Sequence, residues 1–185
     1  MGLRVAFELD DDDLKHFRLI MREARKAAAR MAPEDIVAAA EAQLSDVLDT
    51  SAPGFILERI GKLRLMINML TDIQWRLPHD EARRVLTALA YFTEPEDLIP
   101  DHIPGVGLLD DAIMIELVVR ELKHEIEAYQ DFCDFRTSSR GRRGETAGRS
   151  GWLEKRRGEL HARMRRRRQK SAAKGGDRQA VRLFD

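Results

Sequence analysis

The feature that most constrains this chain is a run of apolar residues that repeats at steps of three and four over about seven helical turns. The run consists of Leu108, Ala112, Ile115, Val119, Leu122, Ile126, Tyr129 and Cys133. Residues at this spacing share one face of an α-helix, and such a face must be covered by other elements. No stretch alternates with the period of two that is expected of a half-buried strand. The sequence therefore predicts an all-α fold.

Four further segments before this run carry the same helical spacing. The first begins at Leu14 with Asp13 as its N-cap, the second begins at Pro33, and the fourth is capped by Asp80. The third has the clearest apolar stripe, which is formed by Ile56, Ile60, Leu63, Ile67 and Leu70. Together with the long run, these segments predict a single bundle of about five helices within residues 1–135.

A segment rich in Pro, Gly and Asp separates the last two predicted helices. It carries Pro95, Pro100, Pro104, Gly105 and Gly107. Prolines and glycines at this density interrupt a continuous helix. Its apolar side chains can lie between the flanking helices. We therefore expect an ordered hairpin connection.

The order and spacing within this segment resemble a known family signature. The pattern is Tyr91, Pro95, Asp97-Leu-Ile-Pro-Asp101, Ile103-Pro104, Gly107 and Asp110-Asp111. It is similar to the YkvA-like family, a bacterial domain of unknown function, over about residues 83–119. The resemblance implies a helical hairpin as the core and no established activity. It also implies membrane association for many relatives, whereas the flanking helices here are strongly charged.

Four aspartates of the segment have two interpretations. Asp110 and Asp111 fall in the first turn of the last predicted helix, where a carboxylate accepts hydrogen bonds from free backbone N–H groups. Asp97 and Asp101 can accept backbone N–H groups or pair with the two arginines of the fourth helix. Alternatively, all four converge on Mg²⁺ or Ca²⁺, which prefer oxygen ligands. Because their spacing matches no established metal loop, we favour capping and ion pairing, without a cofactor.

The charges are divided along the chain. The 50 residues from Arg136 onward contain 17 basic and 5 acidic residues (+12), and the preceding residues contain 15 and 27 (−12). The segment RTSSRGRRGETAGRSG is too polar to fold alone, so we predict a basic low-complexity tail over residues 136–185, disordered or partly helical, with a possible short helix at 152–169. Its candidate contacts to phosphate groups are Arg163, Arg165, Arg166, Arg167, Arg168 and Lys170.

Apolar residues reappear at the chain end after a long polar stretch. Leu183 and Phe184 are therefore candidates for docking into the groove of an unidentified partner protein. Folding back onto the acidic part of this chain would place the same side chains in an apolar environment. The two alternatives remain open from the sequence.

The cysteine content and the hydropathy of the sequence indicate the cellular compartment in which the protein is expected. Cys133 is the single cysteine, so an intrachain disulfide is excluded and a reducing compartment fits. The first residues turn acidic without an apolar core of secretory length, and no apolar stretch approaches the roughly 20 residues of a membrane span. We expect a cytoplasmic protein without a transmembrane segment or signal peptide, with a peripheral position at the inner membrane as an alternative.

The sequence favours a non-enzymatic helical interaction module. Its five histidines are scattered, Cys133 lies on an apolar stripe, and neither a phosphate-binding glycine loop nor a nucleophile elbow occurs. One alternative is non-specific association of the arginine-rich tail with nucleic acid or with an anionic membrane surface. A further alternative is a divalent-metal-dependent activity at the aspartate cluster.

Overall fold

Seven helices make up most of the described part of the chain, and this part contains no strand. The computed structural model describes residues 8–48, 54–93, 109–140, 146–173 and 183–184. The helices are α1 (Asp11–Ala28), α2 (Pro33–Leu48), α3 (Gly54–Thr71), α4 (His79–Phe92), α5 (Leu109–Glu121), α6 (Lys123–Arg140) and α7 (Thr146–Ala173). The prediction of an all-α fold is confirmed, and the count of about five helices was approximate: the fifth predicted helix is divided into α5 and α6, and α7 corresponds to the helix predicted within the tail.

Helix α1 begins with a reciprocal capping arrangement. The Asp10 side chain accepts hydrogen bonds from the N–H groups of Asp12 and Asp13 at 2.8 and 2.9 Å, and the Asp13 carboxylate accepts the Asp10 N–H at 3.0 Å. The predicted cap, Asp13, is thus the third residue of the helix and the reciprocal partner of the actual cap, Asp10, so the helix begins earlier than expected. Asp80, the predicted cap of α4, lies in its first turn, and Pro78 precedes the helix without a side-chain cap.

The long apolar run forms two consecutive helices. Helices α5 and α6 are separated by Leu122 alone, whose N–H still bonds to the Val118 carbonyl at 2.8 Å. The Ile126 N–H continues the pattern by bonding to the Leu122 carbonyl at 3.0 Å. The apolar face is therefore continuous across the break, and Leu122 itself is fully buried.

Helix α3 is the central element of the bundle. It packs against α2, α4, α5 and α6, while α1 packs on α4 and α6 packs on α7. Met66 and Met69 of α3 are completely buried, in line with its clear apolar stripe. The largest fully buried side chains are those of Met21, Ile36, Met66, Met69, Trp75, Leu89, Met114, Ile115, Leu122, Phe132 and Leu160.

The basic C-terminal part of the chain is helical and packed where it is described. Helix α6 reaches Arg140, so the expected division after residue 135 falls inside this helix. Helix α7 is longer than the expected short helix and buries Leu160 and Met164, each 1% exposed. Each such side chain contributes roughly 1.5–3 kcal/mol when fully buried. These few apolar residues are enough to pack α7 on the bundle, because they recur at helical spacing along one face of the helix.

Candidate interaction surface on helix α7

The aspartate cluster is described only in part. Asp97 and Asp101 lie outside the described residues, and only the backbone of Asp110 is described, at the start of α5. Asp111 is 7% exposed and lies in a small pocket that Leu44 and Phe92 also line. Within the described ranges, no group of three or more His, Cys, Asp or Glu residues could hold a metal ion. The hypothesis of a metal site stays a prediction.

A buried ion-pair network joins α4 to the two helices of the long run. Arg84, one of the arginines considered as partners for the aspartates, donates to Glu125 at 2.8 Å and to Glu121 at 3.1 Å. The Glu125 side chain is 1% exposed. Burial raises the pKa of Glu125, and the adjacent Arg84 guanidinium partly opposes this shift. These charged groups hold helices together.

The inward side of α7 pairs with acidic residues of the bundle. Arg163 binds Asp131, and Arg167 binds Glu127 at 2.9 Å. Arg168 binds Glu81 of α4 at 3.1 Å, and the Glu81 side chain is 7% exposed. The structure thus uses three of the six predicted phosphate-binding residues as intramolecular partners. They fix α7 on the acidic part of the chain.

The outward side of α7 carries the other three predicted residues. Arg165, Arg166 and Lys170 are exposed, and they form no ion pair with any described residue. Trp152, at the start of the same helix, is 42% exposed, with its ring centroid 4.0 Å from that of Phe135. This side of α7 is a basic surface with one accessible indole.

Beneath α7 lies an aromatic contact that the sequence reasoning missed. Trp75, in the turn between α3 and α4, is completely buried, and its ring centroid lies 4.3 Å from that of His161 in an edge-on arrangement. Burial lowers the pKa of His161 to about 4, with further lowering by the charges of Arg157 and Arg165. Neither residue lies in a recognisable motif, so only the fold brings them together.

The end of the chain lies against the bundle. Leu183 is 2% exposed, and the Arg84 guanidinium carbon lies 5.0 Å from the centroid of the Phe184 ring. Both residues therefore occupy the back-folded position that was one of the two alternatives from the sequence. Docking onto a partner stays a prediction, and it would require these side chains to leave their present contacts.

The fold and this surface define an all-α helical bundle with a basic, exposed helix on one side. A family model described as a protein of unknown function (DUF1232) matches residues 84–117. The chain is also 31% identical over 85 residues to the "Uncharacterized membrane protein YkvA" of Bacillus subtilis (strain 168), covering 40% of this chain and 80% of that protein. The chain belongs to this YkvA-like family of unknown function, for which no cofactor is indicated.

No solved structure matches the chain significantly. Among the described helices, none is long and apolar enough to cross a membrane.

Proposed function

We propose that this chain is a non-enzymatic helical interaction module that binds an anionic membrane surface from the cytoplasm. The observation that carries the proposal is the exposure of Arg165, Arg166 and Lys170 on the half of α7 that faces away from the bundle, while the other half is fixed on α6. A basic surface held by a rigid helix can face a bilayer without rearrangement of the bundle. The relative's name, a membrane protein, supports the same location.

The three exposed cations make a measurable electrostatic contribution to a reversible attachment. Each Lys or Arg near anionic headgroups contributes about 1 kcal/mol, so the three residues together contribute about 3 kcal/mol. The cytoplasmic leaflet carries the negative surface potential that attracts such groups. Arg163, Arg167 and Arg168 are already paired with acidic residues of the bundle. The proposal therefore assigns membrane binding to the outward residues alone.

Vesicle flotation tests the proposal. The full-length protein is expected to float with phosphatidylcholine vesicles that contain about 30% phosphatidylglycerol, and not with phosphatidylcholine alone. Binding should weaken strongly at about 0.5 M salt, because the Debye length falls. Substituting Arg165, Arg166 and Lys170 together by Glu should lower the affinity by about 100-fold or more.

The matched control makes the same charge change elsewhere. Arg22, Arg64 and Arg83 are exposed on α1, α3 and α4, and their joint substitution by Glu should leave most of the binding intact. Equal losses in the two triple variants would assign the binding to net charge and overturn the role of α7. Binding to RNA or DNA, but not to vesicles, would favour nucleic acid as the partner.

A further inference from the structure

Trp152 is unusual among the residues of α7 because it is a large apolar side chain on an otherwise polar surface. Its side chain is 42% exposed, although Leu153, Leu160 and Met164 of the same helix pack toward the core. The guanidinium carbon of Arg156 lies 5.2 Å from the centroid of the Phe135 ring, on which Trp152 packs. The indole is therefore held in place while much of it remains accessible.

Helical geometry places this indole in line with basic side chains. Trp152, Lys155, Arg166 and Lys170 are all exposed. Trp152 and Lys170 are about five full turns apart at 3.6 residues per turn, so they project in the same direction, and Lys155 and Arg166 lie within about 60° of them. The row extends about 27 Å along the helix axis. One straight side of α7 thus presents an indole at one end and positive charges along its length.

We propose that Trp152 is an interfacial anchor, and that α7 lies parallel to the membrane with this row facing the lipid. The inference rests on the proposed function and adds an apolar contact to it. Indole rings concentrate at the membrane interface because the ring is apolar and its N–H remains near water. Lys155, Arg166 and Lys170 then reach anionic headgroups while the indole enters the boundary with the acyl chains.

The packing of Trp152 favours lipid over a nucleic-acid base as its partner. The Phe135 ring lies 4.0 Å from the indole centroid, so stacking on a base is restricted to the other face of the indole. Insertion at a bilayer interface requires only that the exposed edge reach the apolar phase. The present geometry satisfies this requirement without a change in the position of α7.

Tryptophan fluorescence of the full-length protein tests the inference, because its two tryptophans differ in their exposure at the protein surface. Trp75 is completely buried, so quenching by lipids with brominated acyl chains reports on Trp152. Vesicles containing about 30% phosphatidylglycerol are used with and without the bromine label. We expect quenching of the unmodified protein and loss of the quenching in Trp152→Phe, which keeps an aromatic ring beside Phe135.

Affinity provides the second measurement. Trp152→Ala should weaken binding to these vesicles by about tenfold. Phe55→Ala, which removes an aromatic side chain that is 47% exposed on α3, is the matched control and should bind as the unmodified protein does. Circular dichroism verifies that each variant retains its helices, and the quenching experiment on the unmodified protein requires no variant at all.

The outcomes separate this inference from the proposed function. Charge-dependent binding without quenching would overturn the anchor and leave the basic surface as the binding site. Equal affinities for Trp152→Ala and Phe55→Ala would also overturn the anchor. Absence of binding to anionic vesicles would overturn both the anchor and the proposed function. A change in Trp152 fluorescence with RNA but not with vesicles would identify nucleic acid as the partner.

Discussion

Arg136 donates a hydrogen bond from Nη1 to Asp72 Oδ2 at 2.7 Å, and this pair ties the end of α3 to α6. The same oxygen accepts the Tyr129 hydroxyl at 3.2 Å. The other oxygen, Oδ1, accepts the N–H groups of Gln74 and Trp75 at 2.9 and 3.2 Å. Burial favours the neutral acid, but these hydrogen bonds and the Arg136 charge lower the pKa of Asp72. One carboxylate thus orients the turn that carries the buried Trp75.

Removing the charge of Asp72 should destabilise the fold measurably. Asp72→Asn keeps an acceptor for the two turn amides but leaves Arg136 without its charged partner. We expect a loss of about 2 kcal/mol in the free energy of unfolding, measured by urea denaturation. Asp12→Asn is the control, because Asp12 pairs with Lys15 at a side-chain exposure of 84% and should cost less than about 0.5 kcal/mol. Equal losses would contradict a stabilising role for the Asp72 pair.

Mild acid should weaken the packing of α7 through His161. The pKa of this side chain falls from 6.5 to about 4 in the folded chain. Between these values the unfolded chain binds a proton that the folded chain does not, so stability decreases as the pH falls through this window. The loss between pH 7 and pH 5 should be about 2 kcal/mol. The free energy of unfolding measured at both pH values checks this expectation.

A pair of histidine variants isolates the contribution of His161. His161→Phe removes the titrating group from its position beside Trp75 and should abolish most of the loss between pH 7 and pH 5. His79→Phe, at an exposed position, should retain the loss because His161 is still present. An unchanged loss in His161→Phe would assign the acid sensitivity to other groups.

The packed end of the chain should contribute to stability. Leu183 is 2% exposed, so Leu183→Ala removes a buried side chain and should lower the free energy of unfolding by about 2 kcal/mol. Leu19→Ala on α1, where Leu19 is 52% exposed, should change it by less than about 0.5 kcal/mol. Thermal denaturation followed by circular dichroism compares the two variants. A neutral Leu183→Ala would argue that this segment is free to dock elsewhere.

The sequence predicted those parts of the fold that depend on local periodicity. The stripes of α3 and of the long run place Leu63, Ile67, Ile115 and Leu122 in the core, and all four are buried. Apolar side chains at helical spacing must be covered, whatever covers them, so their burial follows from the pattern alone. The family signature was likewise visible from the spacing of its Pro, Asp and Gly residues.

The contacts between distant segments could not be predicted in the same way. Asp72 directly follows α3 and Arg136 lies on α6, and neither belongs to a stripe or a motif. Their partnership depends on how α3 and α6 cross, which side-chain packing decides. The division of the α7 arginines into paired and exposed groups has the same origin, because it depends on which side of α7 meets α6.

The ion pair between Arg84 and Glu125 permits the most direct test of how the bundle tolerates buried charge. The Arg84 and Glu125 side chains are 11% and 1% exposed. Arg84→Met leaves the buried Glu125 carboxylate unpaired and should cost about 3 kcal/mol of unfolding free energy, whereas Glu125→Gln should cost less, because Arg84 keeps its ion pair with Glu121. The double variant should cost clearly less than the sum, because position 125 then carries no unpaired buried charge. Urea denaturation of all four proteins completes the cycle, and strictly additive losses would mean that the two side chains stabilise the helices independently rather than as a pair.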